Sequence, residues 1–184
     1  MTDARCVLDA GAALGEGPCW DAGRQCLWWV DIHGHAIHRF DPLTGADALY
    51  RAPSPPGSLM FCADGRLIVA MADGFTRFDP DAGSFDRLAS PEGWHPETRM
   101  NDGRTDRQGR FWAGSIHELP GSPHLSVGAL YRLDASLTPT RMIENIAISN
   151  GLAWSPDGRT MYHTDSAGPL VWAWDFDPAT GDIA

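Results

Sequence analysis

Residues 106–114 read D-R-Q-G-R-F-W-A-G, a polar turn around Gly-Arg followed by an aromatic run. The same order recurs as W-D-A-G-R-Q-C-L-W-W-V-D (20–31), C-A-D-G-R-L-I-V-A (62–70) and S-P-D-G-R-T-M-Y-H-T-D (155–165). The turn glycines, Gly23, Gly65, Gly109 and Gly158, are 42, 44 and 49 residues apart. A second element follows each turn: I-H-R-F-D-P-L-T-G, F-T-R-F-D-P-D-A-G, L-Y-R-L-D-A-S-L-T and V-W-A-W-D-F-D-P-A-T-G. Each is a short strand closing on a turn built of Asp, Pro, Gly or small polar residues. Trp, Phe, Val, Ile and Tyr fill the strands and suit a pleated, half-buried surface. No stretch sustains a helical apolar period.

Several short strands per unit, repeating every 40 to 50 residues, predict an all-β chain and a β-propeller with one sheet per blade. An antiparallel sandwich is the alternative; a β-solenoid repeats at a shorter period. About four blades are visible, which makes residues 1–184 a single, partial propeller domain. The stretch R-C-V-L-D (5–9) reads as an outer strand for a blade that this chain does not hold.

The formal net charge of −10 and the scattered Arg residues exclude a nucleic-acid partner and an anionic membrane surface, both of which need clustered cations. The start of the chain has no secretion-signal pattern, and no window approaches the roughly 18 apolar residues of a membrane span. Cys6, Cys19, Cys26 and Cys62 lack C-x-x-C spacing and are expected to be reduced, mostly buried thiols of a cytoplasmic protein.

In a propeller the start of each inner strand faces a central channel, and three positions stand out there. Glu16 lies between two glycines in L-G-E-G-P, as a metal ligand or as a solvated turn carboxylate. Arg99 and Asn101 open the third unit: Arg99 with paired donors for a hydroxyl-rich ligand, Asn101 with an amide for a hydroxyl or a hard metal. An Asx turn is the structural alternative for Asn101 and Asp102. Asn150 precedes Gly151, and it and Asn101 each lie eight residues before a turn glycine; Glu16 lies seven before Gly23. The alternating His33, His35 and His38 fit a partly exposed strand face. No G-x-S-x-G, G-x-G-x-x-G or Walker loop is present, so a nucleophile elbow and nucleotide cofactors have no support. Residues 117–126 read as a mobile lid, and Trp94 or His95 as a cover over Arg99.

The motifs L-G-E-G-P-x-W, R-x-N-D-G-x-x-D-x-x-G-R-x-W-x-G and I-x-N-G-L-x-x-S-P-D-G-x-x-x-Y-x-x-D-S resemble the SMP-30/gluconolactonase/regucalcin-like family along nearly the whole chain. The resemblance implies a six-bladed propeller that opens a sugar lactone with one divalent metal ion, Ca²⁺, Zn²⁺, Mn²⁺ or Fe²⁺. It implies Glu16 and Asn150 as metal ligands, Arg99, Asn101 and Glu118 as substrate contacts, and Asp165 as a structural residue. It also implies a third ligand, an Asp and the expected general base, in a P-D-G-like segment beyond Ala184. The chain would then match about the first 60% of its relatives and expose blade faces and edges open to self-association. A non-catalytic or calcium-binding propeller and an organophosphate- or ester-hydrolysing one are the alternatives.

Overall fold

The structure, a computed structural model, describes residues 3–91, 93–168 and 170–184. It is all-β, with four antiparallel sheets formed from consecutive strands. Blade 1 holds β1 (Gly15–Asp21), β2 (Cys26–Asp31), β3 (Ala36–Phe40) and β4 (Asp47–Arg51). Blade 2 holds β5 (Pro56–Phe61), β6 (Leu67–Met71), β7 (Gly74–Asp79) and β8 (Ser84–Ala89). Blade 3 holds β9 (Thr98–Thr105), β10 (Phe111–His117), β11 (Gly128–Leu133) and β12 (Thr140–Ile146). Blade 4 has three strands, β13 (Ser149–Trp154), β14 (Thr160–Asp165) and β15 (Leu170–Asp175). This is the propeller arrangement that the repeat predicts.

The core is divided among the seams between blades. Because side chains alternate across a strand, each middle strand serves two seams. Leu67, Val69 and Met71 of β6 pack with Trp28, Val30 and Phe78. Their neighbours Ile68 and Ala70 pack on the opposite side with Met100, Phe111 and Ala113. Trp112 of β10 then points the other way, to Leu152, Met161 and Phe176. The strands β6 and β10 are therefore buried along their whole lengths. At the end of the arc, β15 leaves Leu170 and Val171 56% and 67% exposed.

The Gly-Arg turns rest on a preceding carboxylate. Asp106 accepts from the backbone N–H of Gln108 and Arg110, from Arg110 Nε at 2.6 Å and from Trp112 Nε1 at 3.0 Å. Asp21 does the same for Gly23 and Arg24. Gly65, Gly109 and Gly158 each adopt a positive φ, which an L side chain would strain.

Four expectations change. Residues 5–9 form no strand; Val7 to Ala12 instead are mostly exposed and line a surface cavity with Trp29 and Phe40 of blade 1. All four cysteines are free, but only Cys26 is buried: Cys6, ahead of β1, is exposed, and Cys19 in β1 and Cys62 just after β5 are partly buried. His33 and His35 belong to the β2–β3 turn, so the three histidines share no strand face; His38 alone lies in β3, buried, stacked on Trp29 and 2.6 Å from Asp47. Trp94 packs with Tyr131 in the seam between blades 2 and 3 and His95 sits edge-on to His117, so neither covers Arg99.

Candidate functional site

Each of the four inner strands carries a bulge near its start. The register slips between Glu16 and Cys19 in β1, Pro56 and Ser58 in β5, Met100 and Gly103 in β9, and Asn150 and Ala153 in β13. A bulge adds one unpaired residue, bends the strand and re-aims its side chains. Gly17, Gly57 and Gly151 lie inside their bulges, and Gly103 closes the one in β9. At Gly57 the need is close approach, since a Cβ there would sit 2.6 Å from the carbonyl oxygens of Met100 and Asn101. The residues just before these glycines are Glu16, Pro56, Asp102 and Asn150. Counting from the turn glycines pairs Asn101 with Asn150, whereas the bulges align Met100, the last paired residue before the slip, with Glu16 and Asn150 and leave Asn101 and Asp102 unpaired.

Carboxylates set the entry into two of these strands. Asp31, at the end of β2, accepts from the N–H groups of Ala13, Leu14 and Gly34 at 2.9–3.0 Å. Asp165, at the end of β14, accepts from Ala147, Ile148 and Ala167 at 2.8–3.1 Å. Both therefore fix the backbone just ahead of a bulge residue, Glu16 in one blade and Asn150 in the other. Burial by itself would raise these carboxyls, but the three backbone donors outweigh it and hold each below the ordinary Asp range. Asp165 thus has the structural role that the family resemblance implies.

Glu16, Asp102 and Asn150 line one cavity of about 620 Å³, with Gly17, Cys19 and Arg104 on its wall. Asn150 Nδ2 donates to Ser166 Oγ at 2.9 Å, which turns its carbonyl oxygen toward Asn101 Nδ2, 3.5 Å away. Glu16 and Asn150 offer a carboxylate and an amide carbonyl, the oxygen donors a hard divalent cation takes. No cluster of three His, Cys, Asp or Glu side chains able to hold a metal occurs among the described residues.

Arg99, Asn101 and Glu118 form a continuous network. Arg99 donates from Nε and Nη2 to the two oxygens of Glu118 at 2.5 and 2.9 Å, and from Nη1 to Met100 O and Asn101 Oδ1 at 3.0 and 2.9 Å. Asn101 Nδ2 donates to Ser149 O in blade 4 at 2.9 Å, and Ser58 Oγ in blade 2 donates to Asn101 O at 2.9 Å. Arg99 and Asn101 are buried, so these residues also satisfy one another, and among the described residues four bonds engage the five guanidinium N–H groups, leaving one over. Glu118 is the open end of the network. The hydrogen bonds from Arg99 hold its carboxyl below the usual Glu range, so at neutral pH it is an acceptor only. His33 Nε2, on the β2–β3 turn of blade 1, lies 3.4 Å from Glu118 Oε1.

The structure therefore brings Glu16 and Asn150 to one cavity and joins Arg99, Asn101 and Glu118 in one network, with Asn101 reaching Asn150. The sequence reading missed Asp102 as part of the wall, and Ser58, Ser149 and His33 as partners. The recurring glycine after Glu16, Asp102 and Asn150 was the signal available for Asp102. The other three are visible only across blades.

The SMP-30/Gluconolactonase/LRE-like region family matches residues 14–184. A 6-deoxy-6-sulfogluconolactonase of Pseudomonas putida is 34% identical over 173 residues, which cover 94% of this chain and 58% of that one. Regucalcin of Xenopus laevis is 33% identical over 178 residues, covering 96% and 60%. Among solved structures, a calcium-binding protein, regucalcin, from Agrobacterium tumefaciens superposes with a TM-score of 0.86 at 27% identity, covering 94% of this chain and 57% of that one. The chain spans about 60% of the length of the curated relatives it matches.

Proposed function

The chain belongs to the SMP-30/gluconolactonase/LRE-like family, and from that premise we propose that it serves the metal-dependent hydrolysis of a sugar lactone to the aldonic acid. The observation that carries the reading is the Arg99–Asn101–Glu118 network abutting the cavity that Glu16 and Asn150 line. A relative named as a lactonase and another named as calcium-binding support the substrate class and the cation.

The roles follow from the free valences. Glu118, ionised and with lone pairs to spare, accepts from sugar hydroxyls, and the remaining N–H of Arg99 donates to one. Asn101 is held by bonds to three blades and keeps the hydroxyl-binding end at a fixed distance from the cavity, which is how positioning lowers a barrier. Glu16 and Asn150 hold the cation; an all-oxygen donor pair suits Ca²⁺ or Mn²⁺ better than softer ions. When bound, a divalent cation supplies Lewis acidity for the developing oxyanion.

The test is proton release from glucono-lactone at constant pH, with Ca²⁺, Zn²⁺, Mn²⁺ or Fe²⁺, against each ion without protein. The chain should accelerate ring opening with at least one ion. Glu16→Gln should weaken the dependence on that ion, and Glu118→Ala should raise KM. No acceleration over the ion-only controls would overturn the reading for this chain.

A further inference from the structure

We infer that Asp102 is a positioning residue for Asn150, acting across the seam between blades 3 and 4. The inference rests on the cation role proposed for Asn150. Asp102 Oδ2 accepts from the backbone N–H of Gly151 at 2.8 Å, a bond from one inner-strand bulge to the next. Gly151 lies inside the β13 bulge at φ +64°, between the paired residues Asn150 and Ala153. A bulge takes a residue out of the ladder, so its N–H needs an acceptor from elsewhere. Asp102 supplies one and thereby sets the peptide that follows Asn150.

Other contacts restrain Asn150 elsewhere: it pairs with Thr164, and Asn101 Nδ2 approaches its carbonyl oxygen at 3.5 Å. Its entry is clamped at Ala147 and Ile148 by Asp165. Its side chain is held from behind by Ser166 Oγ. Beyond the bulge Leu152 is buried and Ala153 pairs with Tyr162, so it is at Gly151, inside the bulge, that Asp102 adds its restraint. Asp102 also shares the cavity wall with Glu16 and Asn150. A charged acceptor gives a stronger bond than a neutral one, so a carboxylate suits a bond that holds the bulge peptide.

The experiment uses the whole chain labelled with ¹⁵N, as wild type, Asp102→Ala and Asp102→Asn. Two quantities are read: hydrogen exchange at the Gly151 amide, and Mn²⁺ affinity from paramagnetic broadening of the Asn150 side-chain amide. In Asp102→Ala, Gly151 exchange should quicken and Mn²⁺ affinity should fall, each by about tenfold, the size expected for one bond to a charged group. Asp102→Asn keeps an acceptor oxygen and should restore most of both. Unchanged Gly151 exchange in Asp102→Ala overturns the inference. So does an Asn variant that keeps Gly151 protected yet binds Mn²⁺ as poorly as the Ala variant, because Asp102 would then act by its charge on the ion. Wild type that binds no Mn²⁺ overturns the cation role of Asn150 and with it the purpose of the positioning, while Gly151 exchange still decides whether the bond exists.

Discussion

The guanidinium of Arg99 grips both carboxylate oxygens of Glu118, at 2.5 and 2.9 Å, and so ties the start of β9 to the loop that follows β10. Lysine cannot reproduce that fork. In Arg99→Lys the Glu118 carboxyl should move back up toward the ordinary Glu range, read by ¹³C NMR titration. Because its folded value is depressed, the pairing is fully present at neutral pH and is lost as pH falls through that value. Lactone KM should rise by about tenfold. An unmoved Glu118 titration would show that the pairing does not hold in solution.

Gly57 faces the carbonyls of Met100 and Asn101 so closely that a methyl group cannot fit without backbone movement. Gly57→Ala should cost about 1–3 kcal/mol, read from the urea midpoint, and should shift the Asn101 amide signals. Gly83→Ala, at a turn with φ +65° and open space around it, should cost about 1–2 kcal/mol from backbone strain and leave Asn101 in place. Equal disturbance of Asn101 by both variants would contradict the close-approach argument.

Asp165 satisfies three backbone donors around the entry to β13. Asp165→Ala should cost about 3 kcal/mol in urea unfolding, since buried N–H groups are left without acceptors. Asp165→Asn, which keeps one acceptor oxygen, should cost less. Asp31 and Asp165 both titrate below 3.8, so their contribution is complete above that value and is lost as pH falls through the lower, folded ones. Acid unfolding of the wild type should therefore take up protons at these two sites, and the Asp165→Ala variant should take up fewer.

His163 is fully buried, bonded to Ser149 Oγ at 2.9 Å and stacked on Trp172. Burial lowers its pKa from 6.5 to about 4. The unfolded chain binds the proton first, so stability is complete above 6.5 and falls as pH drops toward 4, by about 3 kcal/mol in all. His163→Gln should remove that slope between pH 6.5 and 4. A wild-type His163 that titrates near 6.5 by NMR would refute the assignment.

The sequence by itself determined the repeat, its strand character and the blade count, because these depend on local order: a Gly-Arg turn needs its carboxylate within a few residues, as Asp106 and Arg110 do. It also singled out Glu16, Arg99, Asn101, Glu118 and Asn150, since the glycines beside the bulges and the motif order lie within short stretches. Tertiary structure alone decided the rest. Residues 5–9 read as a strand, yet they pair with none and Val7 to Asp9 line a surface cavity with Trp29. Trp94 stands next to the site in sequence, and the seam between blades 2 and 3 takes it. Asp102 looks like a turn residue until Gly151 is brought beside it from the next blade, 2.8 Å away. Contacts between neighbouring inner strands join residues nearly a full repeat apart, and no local pattern encodes which side chain will meet a bulge N–H across that seam.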